Sequence, residues 1–229
     1  MAGIKFDALN SKLEHTTGTG FDVTQLTICC WTRCDGRGEG NLGRIISCSE
    51  TGPATDGFTL GANLTDQFQF LYTWSTSTSG TAQWTWTQTF GAWHALSVAY
   101  DRGLTTNDPT ARVDYVNATI TEGRAPSGVV VVPTSGFCIG NNTGQTRTYD
   151  GGIMHLQFHP TLLSAANQDL ANKYPGSVRT TNAIWWPMLN SNYTRAFTYN
   201  GTAWVPYASQ GAGTSLADYT TNSPALETV

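Results

Sequence analysis

Charge is scarce in this chain. Of its 229 residues only 12% are Asp, Glu, Lys or Arg, about half the share of an ordinary globular protein. Twelve Lys and Arg stand against sixteen Asp and Glu, a net charge of −4, and no basic cluster occurs along the sequence. Phosphate backbones are held by concentrated positive charge, so nucleic acid is not an expected partner, nor is an anionic membrane surface. The apolar run 129–132 has strand length, far short of the roughly 20 residues a spanning helix needs. Residues 1–10 show neither a basic n-region nor an apolar h-region, so no signal peptide is expected. Cysteine is sparse and odd in number: Cys29, Cys30, Cys34, Cys48 and Cys138. That count fits poorly with a fully disulfide-bonded protein. No CxxC pair occurs, and Cys30 with Cys34 lacks a second half for a zinc site. Small buried hydrophobes are the expected role of these thiols, with one disulfide left open.

What is present points to strands. Hydrophobic residues make up 39% and aromatics 11%, with 24 glycines and abundant Thr. Thr, Trp, Tyr and Val suit half-buried pleated surfaces, and Gly suits the turns between them. Alternation is clear in Leu26, Ile28 and Cys30 against Thr27, Cys29 and Trp31. It recurs in Phe68, Phe70, Tyr72 and Trp74, and in Leu96, Val98 and Tyr100. Further strand-like runs fall at 4–9, 44–49, 57–62, 83–88, 111–116, 118–121, 136–139 and 151–159. Turn signals separate them, among them Asp35-Gly36, Gly52-Pro53 and Ser79-Gly80. Many short strands at this spacing predict an all-β sandwich or barrel. One helix is predicted over 163–174, with Ser164 as N-cap and Pro175-Gly176 as its stop.

After Gly176 the texture changes. Residues 183–189 read as one strand, and Pro187 within it argues for a sheet edge. Residues 196–205 read as a hairpin with a type I′ turn at Asn200-Gly201. The stretch 208–229 is rich in Ser, Thr, Gly and Ala and reads as an extended arm that needs a partner surface. The expected organisation is a domain at 1–176 and a C-terminal strand, hairpin and arm at 177–229.

Four segments, in order, resemble the laminin G-like (concanavalin A-like) jelly-roll family. The first runs from Leu26 to Arg33. The second is Arg44 to Ser47, followed by Gly57 to Gly61. The third is Gly91 to Asp101, followed by Ala111 to Asn117. The fourth joins Phe137 to Asn142, Tyr149 to Ile153 and Leu163 to Ala166. The resemblance spans about 21–174 and implies a two-sheet antiparallel jelly-roll sandwich with one short helix and a C-terminal extension. The sequence departs from the family pattern at Asn117-Ala118, in place of Asn-Gly, and in an inserted loop at 105–110.

Chemistry is thinly marked. Hydrolases of this fold place three acidic residues on one strand, as Glu-x-Asp-x-x-Glu, to aim carboxylates into one cleft. The five glutamates here, Glu14, Glu39, Glu50, Glu122 and Glu227, show no such spacing, so a non-enzyme is expected. His155 and His159, four apart on one strand, share a face but lack a third ligand. No Gly-x-Ser-x-Gly elbow occurs. The resemblance implies a rim calcium, held by short oxygen donors; the candidates are Asp101, Asn141 and Asp150, with ordinary turn chemistry as the competing reading. Trp74, Trp84 and Trp86 are candidate platforms for a glycan or partner, with core packing as the competing reading.

Two roles follow as expectations. One is a structural or attachment protein on a virion surface, such as a phage capsid decoration or fibre-associated protein, with protein subunits as partners and a homo-oligomeric or capsid-bound state. The other is an extracellular carbohydrate-binding or adhesion module that takes a surface glycan, with calcium as its one conceivable cofactor. The fold alone does not choose between them.

Overall fold

A computed structural model of the chain describes residues 2–6, 11–15, 20–49, 56–64, 66–134, 136–188, 196–206 and 225–228. Among these residues, strands account for nearly all regular structure, in two antiparallel sheets. The first sheet centres on β3 (Gln25–Cys34), flanked by β8 (Trp93–Asp101) and β13 (Gly151–His159). Beyond β8 lie β9 (Thr110–Val113) and β10 (Val116–Asn117). Beyond β13 lie β14 (Ile184–Trp186), β15 (Phe197–Tyr199) and β16 (Trp204–Pro206). β1 (Ala2–Phe6) also pairs with β13, alongside 151–153, and β17 (Ala225–Thr228) pairs with β1.

The second sheet runs β11 (Thr121–Arg124), β7 (Thr81–Thr87), β6 (Gln67–Thr73), β5 (Phe58–Leu64), β4 (Arg44–Cys48), β12 (Phe137–Ile139) and β2 (Leu13–His15). The jelly-roll sandwich expected from the sequence is thus the architecture observed.

The period-2 pattern explains the core. Leu26, Ile28 and Cys30 from β3 and Leu96, Val98 and Tyr100 from β8 turn inward. They meet Phe58, Leu60, Phe68, Phe70, Tyr72 and Trp84 from the facing sheet. Aromatic contacts bind the layers: Trp84 and Tyr100 have centroids 5.0 Å apart, and Phe21 stacks on Phe137 at 4.1 Å. Such pairs add about 1 kcal/mol each beyond burial.

The helix α1 (Ala165–Lys173) lies on the outer face of the first sheet. Ser164 caps it by accepting from Asn167 N, and the chain then reverses at Gly176, φ +79°. Cys29, Leu163, Ala171 and Val178 form a small second cluster beneath it. All five cysteines are buried. No helix among the described residues is long and apolar enough to cross a membrane.

The segment after Gly176 joins the first sheet directly. β14 pairs with β13 in the register Leu156↔Trp186 and Phe158↔Ile184. Trp186 enters the core, whereas Trp185 faces outward against Phe197 and Trp204. β14 is therefore no edge strand. Pro187 is tolerated because it falls one residue past the strand, where only its carbonyl is needed, accepting from His155 N at 2.9 Å. The hairpin at 197–206 is present, but its loop has four residues rather than a two-residue I′ turn. The Asn200 side chain closes it by accepting from Thr202 N and Ala203 N. Of the arm predicted at 208–229, only 225–228 lie within the described residues.

Candidate functional site

Among the described residues, an open groove of about 580 Å³ lies on the outer face of the first sheet, beside α1. Its position follows from strand parity. Leu96, Val98 and Tyr100 point into the core, so Ala99 and Asp101 on β8 point out, as do Thr110 and Arg112 on β9. The other walls are Leu162, Leu163, Ala165 and Gln168 around the start of α1, Asn117 on β10, and the loop 102–109.

Each wall is fixed. Arg112 donates to both carboxylate oxygens of Asp169 on α1, at 2.9–3.0 Å, and also binds Asn117 Oδ1 and the Tyr115 carbonyl. Asn172 Nδ2 donates to Ser97 Oγ at 2.9 Å, and Trp31 Nε1 donates to the Asn172 carbonyl. The loop is tied at both ends. Asp101 accepts from Gln25 Nε2 and Gly103 N, each at 2.8 Å, and its carbonyl accepts from Asn107 Nδ2. Trp84 Nε1 reaches through from the core to donate to Asp108 Oδ1 at 2.7 Å. The groove thus presents hydroxyls, amides and carboxylates on a rigid frame, with the exposed Leu162 as its apolar component.

Asp108 has a second partner. Glu122 on β11 sits opposite Trp84 in the strand register, and its carboxyl hydrogen-bonds Asp108. Desolvation first, then the bond and charge of Asp108, raise Glu122 above the usual carboxyl range; the Trp84 indole opposes this.

The residues singled out from sequence fare differently. Trp74, Trp84 and Trp86 are 3%, 0% and 2% exposed and belong to the inter-sheet core. Their rings leave no face for a ligand, so the platform role is corrected to core packing. Alternation along β7 puts Trp84 and Trp86 on one face, and the structure turns that face inward.

The calcium set does not assemble. Asp101 pairs with Gln25 at one end of β3. Asp150 precedes Gly151, which pairs with Cys34 at the other end. Nine steps of about 3.4 Å separate them, roughly 30 Å. Asn141 lies near Asp150 but is buried, and its amide is consumed: Oδ1 accepts from Asn142 N and Arg147 N, and Nδ2 donates to Thr148 Oγ1. These residues do not fit one cation. No group of three or more His, Cys, Asp or Glu able to hold a metal occurs among the described residues. His159 Nδ1 bonds Thr180 Oγ1 and His155 stacks on Trp185, and no further ligands gather beside either among the described residues.

Sequence reading missed Asp108, Glu122, Arg112 and Gln168. Asp108 carried one usable signal, since it lies in the inserted loop. The others are joined only by contacts between residues distant in the chain.

The sheets, the outer helix and the groove define a lectin-type jelly-roll sandwich. The chain belongs to the concanavalin A-like lectin/glucanases superfamily: residues 7–167 match its laminin G-like family. Among curated proteins no relative matches the chain. Solved structures share the fold at low identity. A native heptameric SAP-like pentraxin from Limulus polyphemus is 13% identical, covering 90% of this chain and 91% of its own, with a TM-score of 0.54. The CBM40 module of Ruminococcus gnavus IT-sialidase, bound to α2,3-sialyllactose, is 9% identical, with 75% and 98% coverage and a TM-score of 0.53. The Trypanosoma rangeli sialidase in complex with the inhibitor DANA is 11% identical; the match covers 74% of this chain but only 27% of that enzyme, with a TM-score of 0.52. These likenesses lend no support to a virion-surface role.

Proposed function

We propose that this chain is a carbohydrate-binding module of extracellular or surface-exposed setting, acting by recognition rather than turnover. The observation that carries the reading is the groove beside α1. It offers hydrogen-bonding side chains of both senses, Asp101, Asn107, Thr110 and Asn117, next to an exposed leucine. Saccharides present that mixture, hydroxyls around the ring and apolar C–H faces, and such pockets bind through few fixed polar groups on a preformed frame. The wall formed by 102–109 includes the loop where the sequence departs from the family pattern, so the groove's specificity is this chain's own.

A non-catalytic role is supported by the Asp108–Glu122 pair. Glycosidases hold their two carboxyls about 5–5.5 or 6.5–9.5 Å apart to flank the scissile bond. Here the Asp108 carboxyl acts directly on that of Glu122 and raises it, an arrangement unlike two carboxyls set apart across a bond.

The test is a glycan array with the full chain, with and without EDTA, followed by calorimetry on the best hit. Thr110→Trp, at an exposed position on the groove wall, is expected to lower affinity at least tenfold without changing the unfolding midpoint. Binding that survives this filling of the groove, no binding across a broad array, or release of reducing sugar from a polysaccharide would each overturn the proposal.

A further inference from the structure

Among the described residues, Arg44 is the one arginine placed almost wholly out of water, at 1% exposure, and its Nη1 and Nη2 have no hydrogen-bond partner there. Its position comes from a bulge. β4 pairs with β5 in the register Ile46↔Leu60 and Arg44↔Gly61, with the irregularity between. Ile45 and Ile46 both enter the core. Arg44 then falls with Gly61 on the face of the second sheet turned away from the core. Gly61 stands opposite Gln69, so Arg44, Gly61 and Gln69 form one row across three strands. Gly61 lets the chain at Gly43 pack directly over the row, beside Arg44. A Cβ there would meet the Gly43 carbonyl at 2.1 Å.

The polar atoms left over in this neighbourhood are almost all donors. Gln69 Oε1 already accepts from Gln83 Nε2, which leaves Gln69 Nε2 unpaired. Arg147 is half-buried. Its carbonyl accepts from Arg44 N at 3.0 Å, its charge acts on Arg44, and its own Nε is buried without a partner. Thr59, on the next row of the same face, has an unpaired hydroxyl. Glu39, in the adjoining turn, directs Oε2 to the N–H and hydroxyl of Thr148 instead. A buried guanidinium without an acceptor is costly, and a second cation nearby raises that cost. The same arrangement becomes favourable once one multivalent acceptor binds, because guanidinium pairs with planar or tetrahedral oxyanions through parallel N–H bonds.

We propose that Arg44 and Arg147, with Gln69 Nε2, form a binding site for a small oxyanion, a carboxylate, sulfate or phosphate group. Arg44 is the base of the site and the half-buried Arg147 its entrance. This site lies on the sheet opposite the groove and does not depend on the saccharide reading.

Thermal unfolding of the full chain tests it, at constant ionic strength, with sodium chloride as reference and sulfate, phosphate, acetate or glucuronate as probes. Ligands that bind only the folded state raise its midpoint in a saturable way. A saturable rise with at least one probe over chloride is expected. A rise with sulfate, phosphate or acetate alone assigns a free oxyanion; a rise with glucuronate as well assigns a site that also admits an acidic sugar. Arg44→Met should abolish the rise while leaving the midpoint in chloride unchanged or higher. Arg147→Gln, at a half-exposed position, should weaken binding about tenfold by calorimetry, and it serves alone if the Arg44 variant does not fold. No probe-specific rise in the wild type, or a rise retained in both variants, overturns the proposal.

Discussion

Trp186 lies flat on Phe137, with ring centroids 5.2 Å apart and planes within 10° of parallel. This contact ties the strand after α1 to β12 of the opposite sheet, with Phe137 in turn stacked on Phe21. Trp186→Ala should therefore cost about 3–5 kcal/mol, the range for a fully buried large aromatic. Trp185→Ala, half-buried on the outer face, should cost clearly less. Urea unfolding of both variants checks the order; equal, small losses would mean that 184–186 does not belong to the core.

The Arg112–Asp169 pair holds α1 beside the groove with both carboxylate oxygens engaged. Arg112 is 11% exposed and Asp169 25%, so the pair is shielded more than a surface ion pair. Asp169→Ala should destabilise the fold by about 1–3 kcal/mol by leaving that guanidinium short of acceptors. It should also speed amide exchange in α1 ahead of the strands. Unchanged exchange in 165–173 would show that the helix is held without this pair.

Acid should weaken the fold through a buried imidazole. Burial pushes His159 down to about 4 from its ordinary 6.5. In the unfolded chain it protonates near 6.5, whereas in the folded chain it resists until about 4. Stability from this group is thus fully present above pH 6.5 and lost as pH falls from 6.5 to 4. At about 1.4 kcal/mol per unit, the loss totals about 3 kcal/mol. Burial shifts His155 in the same direction. Unfolding free energies between pH 7.5 and 4 should show the decline, and His159→Gln should flatten part of it. An identical slope in that variant would remove His159 as the source.

The thiols should be inert in the native state. Burial pushes Cys29 and Cys34 up to about 12, and it raises Cys30 and Cys48 as well. A thiolate-dependent reagent at pH 8 should label none of the five cysteines in native buffer and all five in denaturant. Fast labelling of any one without denaturant would contradict its buried placement.

Alternation alone marked β3, β6 and β8, because each has one face in the core and one outside. The Ser164 cap and the stop at Pro175-Gly176 bounded α1 to within two residues, since both act locally. Bulges were not legible. The one at Ile45 and the one between Met154 and Gln157, where His155 adopts φ +52°, depend on partner strands that a single segment does not reveal. The reversal at Asp114-Tyr115, with φ +50° and +70°, was hidden for another reason: neither residue is the glycine such a turn favours.

The sequence by itself determined that this is a two-sheet antiparallel sandwich with low charge, buried cysteines and one helix. The strands, the helix and the low charge follow from composition and from the period of neighbouring side chains; the choice of a two-sheet sandwich over a barrel came from the resemblance to the laminin G-like family. Only the tertiary structure decided which face of each strand is the core, which is why three tryptophans became packing rather than platform. It also parted Asp101 from Asp150, brought Asp108 to Glu122, and left Arg44 enclosed without an acceptor. Each of these depends on pairing between residues far apart in the chain, and the local pattern that makes a strand carries no record of the strand beside it.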